Sequence, residues 1–146
     1  MSRDSIIYEK SRRFASRIVR LHSHLLKEKD EHVISAQIVR SGTSIGANVA
    51  EALYAASRRD FLSKLTIALK ECSETIFWLD VLRDTGYVEG EGAISLTEEC
   101  RELIRMLIVT VSKLKDSSRP AYEVRESVAE YDFDFENPLS QEGDLP

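Results

Sequence analysis

Arg40-Ser41-Gly42-Thr43-Ser44-Ile45-Gly46-Ala47-Asn48-Val49-Ala50-Glu51-Ala52 places two glycines four residues apart inside a helical pattern. Ile38, Ile45, Val49 and Ala52 recur at the three-, four- and seven-residue intervals that keep apolar side chains on one helix face. Each glycine costs a helix about 1 kcal/mol relative to alanine. A helix carries that cost where a neighbouring backbone comes close. The stretch predicts tight helix packing, not a reaction.

Three more helices can be read outward from it. Ile7, Phe14, Ile18, Leu21 and Leu25 step by seven, four, three and four, the seam of a first helix from about Asp4 to Leu26. Lys27-Glu28-Lys29-Asp30 reads as a polar connection, and Asp30 or Glu31 opens the second helix, which runs to about Ala56. Ser57 is the N-cap of a third, with Asp60 in its first turn. Phe61, Leu65, Ala68, Cys72, Ile76, Leu79 and Leu82 form its apolar line, and it stops near Gly86. Gly86 to Gly92 reads as a loop. Ser95 or Thr97 then caps a fourth helix whose seam, from Leu96 through Leu107 to Leu114, ends near Lys115. Nothing resembles a strand. Short connections between long amphipathic helices predict an all-α, antiparallel up-down-up-down four-helix bundle over residues 4–116.

The 146 residues suit one domain, at 42% hydrophobic and 31% charged. No apolar run reaches the roughly 18 residues of a membrane span, and Met1-Ser2-Arg3-Asp4 does not begin a signal-type core. Two cysteines are too few for a disulfide scaffold. A cytoplasmic protein with no membrane partner is expected. The net charge of −5 is uneven. Residues 117–146 hold two arginines against eight carboxylates, a net −6, while residues 1–116 carry +1. That acidic tail, with Pro138 and Pro146 and no helical period, is expected to be disordered.

Two blocks carry a family likeness. The stretch Ser41 to Ala52 resembles the central motif of the four-helix, S23-like proteins of the 23S rRNA intervening-sequence family. Ser57-Arg58-Arg59-Asp60-Phe61-Leu62-Ser63-Lys64-Leu65-Thr66-Ile67-Ala68-Leu69-Lys70-Glu71 and Glu74-Thr75-Ile76-Phe77-Trp78-Leu79 resemble its second signature, in the same order. The likeness covers about residues 6–115 and implies a bundle that assembles as a ring-like homo-pentamer. The family name records a gene location and not an activity. A related branch, the accessory proteins of diversity-generating retroelements, is strongly basic and binds nucleic acid. This chain, with a pI of about 5.3, departs from that branch.

Candidate residues fall into two sets. Arg40, Ser44, Asn48 and Glu51 share one stripe of the second helix. With Gly42 and Gly46 they read as a helix-packing and polar network, which Lys70, Glu71 and Glu74 would face from the third helix. A di-metal bundle wants Glu-x-x-His pairs, and no Glu here has a His three residues on. His22, His24 and His32 lack ligand spacing. Cys72 and Cys100 lie on apolar seams, as core thiols do. No catalytic residue, metal or cofactor is assigned. Phe77 and Trp78 are consecutive, so one is expected in the core while the other reaches a neighbouring subunit.

Lys10, Arg13, Arg17 and Arg20 form the second set, a basic stripe on the first helix. It is either a solvated face or a surface for RNA or DNA phosphates, repeated around a ring. The tail motif Tyr131-Asp132-Phe133-Asp134-Phe135 alternates aromatic and acidic residues. It is a solubilising end, a segment that docks in a groove, or a nucleic-acid mimic lying over the stripe. The sequence thus predicts a non-enzymatic homo-oligomer, a pentamer by resemblance, with nucleic acid or a protein as further partner.

Overall fold

The computed structural model describes residues 3–115, as four helices: α1 (Arg3–Lys29), α2 (Val33–Ala52), α3 (Arg58–Asp84) and α4 (Gly90–Lys115). Each packs on two neighbours, in the cyclic order α1, α2, α3, α4. Every neighbouring pair runs antiparallel. Gly42 and Gly46 lie on Ile18 and Ser11 of α1. Arg40 meets Glu74, and Glu51 meets Lys64, between α2 and α3. The Arg58 guanidinium donates to the Leu114 carbonyl at 3.3 Å, and the Cys100 thiol to the Cys72 carbonyl at 3.5 Å, between α3 and α4. Lys10 with Glu102 and Arg17 with Glu99 close the square between α1 and α4.

The expected seams form the core. Phe14, Ile18, Ile38, Ile45, Leu65, Leu79, Leu103 and Leu107 are all buried. Full burial of such a side chain is worth about 1.5–3 kcal/mol. Ser57 caps α3 as expected, accepting from the Asp60 amide at 3.0 Å. Gly86 ends it at φ 79°, with Gly86 N–H on the Arg83 carbonyl and Tyr87 N–H on the Leu82 carbonyl, a Schellman pair.

Three boundaries differ from expectation. Helix α1 continues through Lys29, so Lys27-Glu28-Lys29 is helical and the connection is only residues 30–32. Asp30 makes the turn at φ 51°. Helix α2 stops at Ala52 rather than Ala56, because Leu53 and Tyr54 already belong to the turn toward α3. Helix α4 starts at Gly90, so Ser95 and Thr97 are interior positions and not caps. Thr97 bonds back to the Ala93 carbonyl at 3.0 Å, and Ser95 accepts from Arg17 at 2.9 Å. Burying Ala93 and Leu96 against the bundle offsets the weak helix propensity of Gly92.

Candidate functional site

The basic stripe lies along the α1–α4 seam. The Lys10 ammonium is 2.8 Å from Glu102, and Arg17 is 2.9 Å from Glu99 and also donates to Ser95. These two members of the stripe bridge α1 to α4. Their carboxylate partners sit on the last helix, far away in sequence, so the stripe alone could not show them. Arg13 and Arg20 face solvent. Toward the end of α1, Arg17, Arg20, His24 and Lys29 surround an open hollow of about 550 Å³, closed on the other side by Tyr87, Glu89 and the first turn of α4. His22 is half-buried, and its Nδ1 lies 3.1 Å from the Ser35 carbonyl of α2.

The α2 stripe divides. Arg40 is held by Glu74 and lies 3.5 Å from Glu71, both on α3. Glu51 pairs with Lys64 at 2.9 Å. Between them Asn48 turns back to the Ser44 carbonyl of its own helix at 2.8 Å, so Ser44 and Asn48 are not brought to α3 by that bond. Lys70 does not face this stripe; it lines the opposite side of α3. Burial pushes the Glu71 carboxyl up, partly opposed by Arg40. The Arg40 hydrogen bond holds the Glu74 carboxyl below its usual range.

Glu74 also orients an aromatic pair. Its Oε1 accepts from the Trp78 indole at 3.3 Å, and the Phe77 ring meets Trp78 edge to face with centroids 4.9 Å apart. Trp78 packs against the core, while Phe77 remains 56% exposed. Arg40, Glu74 and Trp78 therefore form a support that presents Phe77 outward. On the α4 side of α3, Leu69, Lys70 and Ser73 face Ile104, Ile108 and Val111 across a groove of about 290 Å³ that opens beside Lys115.

Several polar groups escaped sequence reasoning. The Glu31 carboxylate accepts from the amides of Val33, Ile34 and Ser35 at 3.0, 2.8 and 2.6 Å. Glutamate is a poor match to the usual small N-cap residues, so only its position before the helix hinted at this. Ser41 and Thr75 place their hydroxyls 2.9 Å apart inside the α2–α3 contact, and the Thr75 hydroxyl also lies 2.7 Å from the Glu71 carbonyl. Cys72 and Cys100 are free and buried, and burial pushes the Cys72 thiol well up. Among the described residues no group of three or more His, Cys, Asp or Glu is placed to hold a metal. No helix there is long and apolar enough to cross a membrane. The acidic tail at 117–146 lies outside the described residues.

These features define a four-helix bundle held by a glycine crossing, with ion pairs across two of its helix seams, α1–α4 and α2–α3. The chain belongs to the family of 23S rRNA-intervening sequence proteins, whose model matches residues 3–109. It is similar to the crystal structure of a protein of unknown function from the S23 ribosomal protein family of Bacteroides thetaiotaomicron VPI-5482. The two are 46% identical, with a TM-score of 0.74, over 76% of this chain and 99% of that one. No curated protein matches the chain.

Proposed function

We propose that this is a non-enzymatic, cytoplasmic interaction protein that assembles with copies of itself, and that Phe77 is an anchor of that assembly. The exposed Phe77 ring, braced edge to face by Trp78, carries the proposal. Aromatic anchors with a rigid backing dominate the energetics of many interfaces, and an exposed apolar side chain gains most when a partner removes it from water. Ile67 is a second exposed apolar side chain on α3. A ring-like homo-pentamer is the assembly that the family resemblance implies.

Sedimentation of the full-length protein at micromolar concentration tests this. Phe77→Ser should weaken association at least about 10-fold, or about 1.4 kcal/mol, with helical content unchanged. A monomeric wild type, or a Phe77→Ser variant that associates as well as wild type, removes the proposal.

The hollow framed by Arg17, Arg20, His24 and Lys29 favours a second role, contact with nucleic-acid phosphates. Such contacts are electrostatic and largely independent of sequence. Three phosphate contacts would weaken RNA or DNA binding roughly 40-fold between about 50 and 200 mM salt. Arg20→Ala with Lys29→Ala, which removes two of the cations around the hollow, should weaken binding at low salt at least about 10-fold. Binding that ignores salt, or is unchanged by the double substitution, eliminates this role.

A further inference from the structure

We infer that the aromatic–acidic motif Tyr131-Asp132-Phe133-Asp134-Phe135 docks in the groove between α3 and α4 of its own chain. The floor of that groove is apolar, from Leu69, Ile104, Ile108 and Val111, and the charged side chains lining it are Lys70 and Lys115. The motif has the complementary chemistry. In an extended segment, successive side chains point to opposite sides. Tyr131, Phe133 and Phe135 then share one side, while Asp132 and Asp134 share the other. A cavity of about 150 Å³ is enough to take a benzene ring, so a groove of about 290 Å³ accepts an aromatic side chain with room to adjust. Lysine stems can lie along an apolar wall while their ammonium groups turn to a carboxylate above it.

The connection has the right length. Helix α4 ends at Lys115, which itself lines the groove. From Lys115 back to Ile104 is roughly 17 Å at 1.5 Å per helical residue. The segment 116–130 contains 15 residues, and a flexible chain of that length averages roughly 20 Å end to end. A linker whose average reach matches the span gives the highest effective concentration, in the millimolar range. The α1 cations are a poorer seat for this motif, because Lys10 and Arg17 already have carboxylate partners in α4.

Chymotrypsin cleavage of the native full-length chain after Tyr131, Phe133 and Phe135 tests the contact against a synthetic peptide spanning residues 128–138. At an effective concentration several times the intrinsic dissociation constant, cleavage in the protein should be about 10-fold slower than in the peptide. The rate should not change on dilution. Lys70→Glu with Lys115→Glu, both at exposed positions that leave the fold intact, should raise it to the peptide rate. Adding Asp132→Lys and Asp134→Lys should restore protection, with the matching peptide as reference. Repeating the comparison in a Phe77→Ser background separates docking from self-association. Cleavage of the wild type at the peptide rate, or protection that ignores the lysine substitutions, overturns the inference. Protection lost on dilution also overturns it, and places the motif on a second copy.

Discussion

Gly42→Ala should lower the unfolding free energy by about 2 kcal/mol, although alanine is the better helix former by about 1 kcal/mol. A methyl group at Gly42 would lie 2.8 and 2.9 Å from Cγ2 and Cγ1 of Ile18. Ile18 is fully buried and β-branched, with little freedom to rotate away. Overpacking a core contact of this kind costs about 3 kcal/mol at the upper end of the usual range, more than the propensity gain. Ile18→Ala removes both γ carbons but keeps the β carbon, which would stand 3.2 Å from the added methyl. In that background most of the Gly42→Ala penalty should vanish, leaving an effect within about 1 kcal/mol of zero. Gly46 makes the contrast. A methyl there would stand 3.3 Å from the Ser11 carbonyl oxygen. That squeeze opposes a gain of similar size, so Gly46→Ala should stay within about 1 kcal/mol of wild type. Urea unfolding of the four variants measures the cycle, and a Gly42→Ala variant as stable as wild type would sink the close-packing account of this glycine.

The glycine pair also marks how far the sequence carries. Its spacing announced a close approach, and that is where α1 and α2 touch. It did not say that Ile18 was the neighbour, or that Gly42 is the tighter position. Those depend on the relative rotation of two helices, which no local pattern encodes. The seam residues were legible because burial has a period: Ile7, Phe14, Ile18 and Leu25 are buried, and Leu21 packs against the same core. Helix ends were less so. Gly92 weakens a helix locally, yet tertiary burial of Ala93 and Leu96 carries α4 back through it to Gly90, which opens the helix at φ 75°.

Charges were the least legible. The spacing of Lys10 and Arg17 showed a shared face but could not show that Glu99 and Glu102 meet it. A periodic basic stripe is ambiguous until the opposing helix is known. Arg40 and Glu51, read as one stripe, meet separate carboxylate and ammonium partners on α3. The aromatic pair was readable as one residue in and one out, because consecutive helix positions are 100° apart; only the structure says which.

Glu31→Ala should cost about 2–3 kcal/mol, because it removes a carboxylate that accepts three backbone N–H bonds and strands donors at the start of α2. Hydrogen bonds to a charged acceptor exceed the usual N-cap contribution of about 1 kcal/mol. Glu31→Gln keeps an acceptor oxygen but loses the charge, and should cost about 1 kcal/mol at neutral pH. The two forms should also differ in their response to acid. Burial pushes the Glu31 carboxyl up, but the Ile34, Ser35 and Val33 amides together outweigh it, with His32 adding to them, so the folded-state pKa is lowered. A lowered carboxyl pKa stabilises the fold above the unfolded-state value of about 4.3. That contribution disappears as pH falls below this value and through the folded-state pKa. The gap in unfolding free energy between wild type and Glu31→Gln should therefore be constant from neutral pH down to about pH 5 and shrink below about pH 4. A gap that widened on acidification, or a Glu31→Ala variant as stable as wild type, would mean that the carboxylate is not what holds the first turn of α2.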